Sequence, residues 1–166
     1  MKITIGQING MNREQFVDRL GAIFEHSPWI AAAAWESRPF ASAVELHAAM
    51  MNVVRESRTE TIVDLFRAHP DLGTRLAVAE YSAAEQQGAG LHQLSPEECD
   101  RLAGMNRTYV GKFGFPFILA VRGKTKSEIL AAMEARMRHT VGEEAAQALL
   151  EIGKISFFRL SELMTD

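Results

Sequence analysis

"KFGFPFILAVRG", residues 112–123, is the stretch that decides the fold. Phe113, Phe115 and Phe117 alternate as strand side chains do, and Gly114 and Pro116 do not permit a comfortable helix. A strand needs partners, because a lone strand is not stable in water. No second strong strand pattern occurs in the chain. The stretch therefore reads as an extended connector, buried by its aromatics and a candidate lining for a site. The segments on either side read as helices, so the expected fold is all-α. One compact helical domain over residues 1–166 is expected, with about seven or eight helices and one extended connector near residues 113–123.

The helical reading rests on spacing and on start signals. Phe16, Leu20, Ile23 and Phe24 recur at helical intervals after Asn12. Ala43, Leu46, Met50, Val53 and Val54 do the same further on. Ser95, Pro96, Glu97 and Glu98 combine a capping Ser, a Pro at the first helical position and a Glu at the third. Thr125 with Glu128 repeats the capping pattern before Ile129. A long last helix is expected from about Glu143 to Met164. No internal repeat or low-complexity tract interrupts the chain.

With 166 residues the chain is long enough to bury a real core. Its 47% apolar and 23% charged content is that of an ordinary water-soluble protein. The net charge of −3 carries no basic excess, so neither nucleic acid nor an anionic membrane is suggested as a partner. Cys99 is the single cysteine, which rules out an internal disulfide and a multi-cysteine zinc site, and fits a reducing compartment. The opening MKITIGQING lacks the apolar run of a signal peptide, and the closing SELMTD is not a peroxisomal address. The expected location is the cytoplasm.

Three residues are candidates for chemistry. His69, in "RAHPDLG" (67–73), stands directly before Pro70, which biases it away from helical geometry. Histidine exchanges protons readily near neutral pH; a satisfied helix-end histidine is the plainer alternative. Glu85, in "SAAEQQGAGL" (82–91), sits three residues after Ser82, so the two could form a capping box; Gln86 beside it can donate and accept at once, as a planar urea or amide group requires. Arg159 falls on the same helix face as Ile152 and Ile155. It is either a guanidinium clamp on a planar or anionic ligand, or a snorkelling side chain with its head in water. His26, His47, His92 and His139 show no paired ligand spacing, so no metal site is expected.

Four motifs occur in order: "FEHSPWIAAAAWESRPF" (24–40), "AHPDLG" (68–73), "SAAEQQGAGL" (82–91) and "NRTYVGKFGFPFILAVRG" (106–123). Together they closely resemble the OHCU decarboxylase family, where OHCU is 2-oxo-4-hydroxy-4-carboxy-5-ureidoimidazoline. The resemblance covers nearly the whole chain, from about Phe16 to Leu163. It implies an all-α homodimer that works without a cofactor in urate breakdown, turning its small-molecule substrate OHCU into (S)-allantoin. Residue by residue, it implies catalytic roles for His69, Glu85 and Arg159. It implies substrate contacts from Pro70, Ser82 and Gln86, and from the backbone of Phe117, Ile118, Leu119, Ala120 and Val121. The "HPDLG" stretch lacks the Ala before Gly that many members carry, which implies a loop of different length or path after His69. Two other readings compete: another ureido or purine-ring lyase or hydrolase with the same His/Glu pair, or a non-enzymatic helical interaction domain.

Overall fold

A computed structural model describes residues 1–73 and 80–165. Capping chemistry marks out its helices. Thr4 and Asn12 open α1 (Ile5–Asn9) and α2 (Arg13–Leu20) with full capping boxes, in which Gln7 and Gln15 return the bond to the cap amide. Pro28 starts α3 (Pro28–Ala34), as suits a position whose amide has no helical acceptor. Ser42 accepts from the Glu45 amide at 3.2 Å and opens α4 (Ala43–Arg55). Then α5 (Thr59–Arg67) runs to the residue before its cap, Ala68.

These helices belong to the first of two units, Met1–Ala68 with Gly153–Asp166. In it α3 packs against both α2 and α4. Phe16 and Leu20 on α2, Ile30 on α3, and Leu46, Met50 and Val54 on α4 are buried, as their helical spacing requires. Ile23 and Phe24 are buried too, but they lie past the end of α2, in the turn after Gly21. The Ile3 amide donates to the Leu163 carbonyl at 3.0 Å, and the Thr165 amide to the Ile3 carbonyl at 2.9 Å. This parallel bridge is the sole strand-like pairing among the described residues.

The second unit is His69–Ile152. It holds α6 (Glu80–Gly88), α7 (Pro96–Phe113), α8 (Lys126–Arg136) and the first half of α9 (Val141–Leu163). Ser95, Pro96 and Glu98 start α7 with a full capping box. Thr125 accepts from the Glu128 amide at the start of α8. Helix α7 ends where Gly114 turns left-handed at φ 80°, a conformation open to glycine at little cost, and Pro116 follows. Residues 114–125 are then non-helical, which is the extended connector expected from the sequence. Tyr109 of α7 gathers its aromatics: ring centres lie 4.5 Å from Phe113, 6.1 Å from Phe115 and 5.4 Å from Phe117. Phe117 is 1% exposed, and burying such a side chain contributes about 1.5–3 kcal/mol.

The fold is all-α. Nine α-helices occur among the described residues, more than the seven or eight expected, because short segments such as the five-residue α1 close on their own caps. No helix among the described residues is long and apolar enough to cross a membrane.

Candidate active site

The candidate residues begin at the break after α5. Pro70 disfavours helical geometry at His69, and His69 lies in a bend, 8% exposed. The chain that follows is held by two side chains from different helices. Asn106 of α7 donates through Nδ2 to the Leu72 carbonyl at 3.0 Å. The Gly73 amide donates to Gln86 Oε1 of α6 at 3.0 Å. Gly73 is left-handed, at φ 74°, and a Cβ there would come within 2.5 Å of Leu102 Cδ2. The left-handed backbone is what favours glycine at this position. The far end of the His69–Gly73 segment is therefore held by side chains from two helices.

On α6, Ser82, Glu85 and Gln86 share one face, since residues three and four apart are helix neighbours. Ser82 and Gln86 are buried and Glu85 is half-buried. The capping-box reading of Ser82 and Glu85 does not hold. The helix is already under way at Glu80, so Ser82 lies inside it and is not an N-cap. Gln86 is brought to the His69 segment by its bond to Gly73, and that bond uses its carbonyl end.

The connector lies in the same unit. Phe117, Ile118, Leu119, Ala120 and Val121 are all buried. Arg136 at the end of α8 donates through Nη1 to the Ile118 carbonyl at 2.5 Å, and its guanidinium carbon lies 4.4 Å from the centre of the Phe117 ring. Glu151 Oε1 on α9 accepts from the Ala120 amide at 3.1 Å. Arg136 is itself paired with Glu144, through Nε at 2.8 Å and Nη2 at 2.7 Å. Glu144 also accepts from the Tyr109 hydroxyl, and bonds His139 Nδ1 at 2.9 Å. Burial pushes the Glu144 carboxyl up, but the bonds from Arg136, Tyr109 and His139 outweigh it and hold the group below the usual glutamate range. Burial first, and then the Glu144 carboxylate, push the Tyr109 hydroxyl well above its ordinary range.

Arg159 belongs to the first unit. It is 2% exposed, donates through Nη1 to the Ile23 carbonyl at 3.2 Å, and pairs through Nη2 with Glu25 Oε2 at 3.1 Å. The snorkelling alternative is thus overturned: the head is buried with a carboxylate, as an interior guanidinium requires. Among the described residues, no three His, Cys, Asp or Glu side chains gather as metal ligands would.

Sequence reasoning missed Arg136, Glu144, Glu151 and Asn106. Charged residues in helices read as solvent-facing, and their partners lie too far along the chain to be paired by spacing. Tyr109, four residues before Phe113, was the available hint, because a buried phenol needs a partner.

An all-α chain with a buried His-Pro bend, bonded to a helix that carries Ser, Glu and Gln on one face, fits the class of helical enzymes that act on small polar molecules. The family model for OHCU decarboxylase matches residues 9–161. The chain belongs to the OHCU decarboxylase family, which are carboxy-lyases. It is 42% identical over 161 residues to the 2-oxo-4-hydroxy-4-carboxy-5-ureidoimidazoline decarboxylase of Haloferax volcanii, covering 97% of this chain and 96% of that protein. It is 43% identical over 163 residues to the uric acid degradation bifunctional protein PucL of Bacillus subtilis, covering 98% of this chain but 33% of that longer protein. Among solved structures, a crystal structure of (S)-allantoin synthase superposes with a TM-score of 0.80 at 31% identity, over 98% of this chain and 54% of that one. A crystal structure of OHCU decarboxylase in the presence of (S)-allantoin gives a TM-score of 0.70 at 25% identity, over 94% and 100%.

Proposed function

We propose that this chain decarboxylates OHCU to (S)-allantoin in urate degradation, with His69 as the acid–base group and Glu85 orienting it. The observation that carries the reading is the His69–Gly73 segment bonded to Gln86, on the helix face that also bears Ser82 and Glu85. The family match and the relatives that are named for this reaction support it.

The chemistry suits these residues. When carbon dioxide leaves, the carbon–carbon bond pair stays on the substrate and spreads into the adjacent carbon–nitrogen double bond. The substrate is its own electron sink, so the reading includes no cofactor. The protein has to orient the carboxylate, stabilise the charge that develops, and deliver one proton to one face. His69 moves that proton, near the substrate hydroxyl or the nascent carbanion. Glu85 orients the imidazole or the hydroxyl and favours the charged imidazolium. Pro70, Ser82 and the NH2 end of Gln86 hold ring and ureido edges, together with the backbone of Phe117–Val121. Arg159 is assigned a ring or ureido oxygen, or charge that grows as carbon dioxide departs. A tight bond to the departing carboxylate itself would favour the ground state and slow the reaction. The reading further takes the protein as a single-domain subunit of a cytoplasmic homodimer, which light scattering on the purified protein checks.

The test follows freshly made OHCU, produced from urate by urate oxidase and the ring hydrolase, by ultraviolet absorbance and circular dichroism. The expected result is faster OHCU decay and optically active allantoin. Unchanged decay to a racemate, from folded protein, rejects the reading.

A further inference from the structure

We propose that Arg136 and Glu151 are positioning residues that together aim the main-chain amide and carbonyl of Leu119 at the ureido or cyclic-urea edge of the substrate. The inference rests on the function proposed above. Its content is the paired grip on two successive peptide groups. Arg136 holds the Ile118 carbonyl at 2.5 Å, and Glu151 holds the Ala120 amide at 3.1 Å.

Each grip fixes a whole peptide plane. The Ile118 carbonyl and the Leu119 amide belong to one peptide group, and the Leu119 carbonyl and the Ala120 amide to the next. Both are trans, so in each the C=O and N–H point in opposite directions. With its oxygen held by Arg136, the first group points the Leu119 N–H away from Arg136. With its N–H held by Glu151, the second points the Leu119 C=O away from Glu151. One donor and one acceptor of a single residue are thereby set before any ligand arrives. A –NH–CO– edge carries the complementary acceptor and donor, and this is the chemistry of a ureido group or a ring urea.

Neither grip is loose. Arg136 is fixed by Glu144 at 2.7–2.8 Å and lies over Phe117. Glu151 is 2% exposed, and its second oxygen accepts from Gln147 Nε2 at 3.3 Å. Main-chain groups held in this way need no reorganisation on binding, which is the advantage of a preorganised polar site.

The test compares wild type, Glu151→Ala and Glu151→Gln in the OHCU assay, with circular dichroism to establish folding. Glu151→Gln keeps an acceptor oxygen beside the Ala120 amide; Glu151→Ala does not. Glu151→Ala should raise KM roughly tenfold, the equivalent of about 1.4 kcal/mol, with kcat changed much less. Glu151→Gln should recover most of that loss. If Glu151→Ala does not fold, Glu151→Met, which fills the space without an acceptor, takes its place with the same expectation. An active wild type whose folded Glu151→Ala or Glu151→Met keeps the wild-type KM overturns this inference alone. Equal losses in the Gln and Ala variants also overturn it. A wild type that does not hasten OHCU decay overturns the functional reading, and this inference with it.

Discussion

Removing Arg136 should expose how much of the second unit depends on one buried carboxylate. In Arg136→Met, Glu144 loses both guanidinium contacts, at 2.7 and 2.8 Å, while its side chain stays 0% exposed. The Ile118 carbonyl loses its donor and the Phe117 ring its cation. Breaking a buried pair from one side costs about 3–5 kcal/mol, and losing the ring contact is a separate cost of about 0.5–2 kcal/mol. Adding Glu144→Gln removes the stranded charge but keeps an acceptor for Tyr109. The double variant should therefore lose only about 1–3 kcal/mol, the cost of neutral bonds left unmade. The sign of the pH dependence follows from the pKa direction. In the wild type the Glu144 pKa lies below its unfolded value, so its contribution is present above the unfolded pKa and disappears as pH falls through the folded one. Without Arg136 the folded pKa rises, and the variant takes up its proton earlier as pH falls. Its deficit against wild type should accordingly be larger at about pH 7 than at about pH 4. Urea unfolding followed by circular dichroism at both pH values measures this. A single-variant cost below about 1 kcal/mol, a double variant no better than the single, or an equal deficit at both pH values would refute the reasoning.

Three further outcomes are expected. His69→Asn should lose at least about a hundredfold in turnover, the usual minimum for an acid–base group, while its helical circular dichroism is unchanged; near-wild-type turnover in that folded variant removes His69 from the mechanism. Gln86→Leu should leave the Gly73 amide without its acceptor and cost about 1–3 kcal/mol in urea unfolding, together with a higher KM for OHCU. Gly73→Ala should cost at least about 1–2 kcal/mol for its left-handed backbone alone, with more for the contact at 2.5 Å with Leu102, and an unchanged unfolding midpoint would contradict the described loop geometry.

Much of the fold was legible because its signals are local. Asn12, Ser95 and Thr125 announced their helices within four residues, and the glycine and proline of the connector stopped α7 where the backbone chemistry demanded. Ser82 misled for the same reason: the pattern Ser-x-x-Glu fits a cap, but a helix already running from Glu80 makes it an interior face. His69 and Gln86 were singled out through motif and chemistry, and the Gly73–Gln86 bond ties the two stretches together. The buried charges were not legible. Arg159 meets Glu25 across 134 positions, and Tyr109 meets Glu144 across 35, separations at which no periodicity reports a partner. A sequence shows that a charge is present, but only the folded chain shows what neutralises it.

Tyr109 gives the protein an optical gauge of its own integrity. Its hydroxyl is held neutral by burial and by an adjacent carboxylate, far above the range of a tyrosine in water. The unfolded chain releases this proton at about pH 10, so alkali favours the open form, and the stability that the phenol confers fades as pH climbs beyond that point. Tyrosinate absorbance from this residue then records opened molecules and not intact ones. In a Tyr81→Phe background, where Tyr109 is the one remaining tyrosine, a base titration read in the near ultraviolet counts the population whose aromatic cluster has come apart.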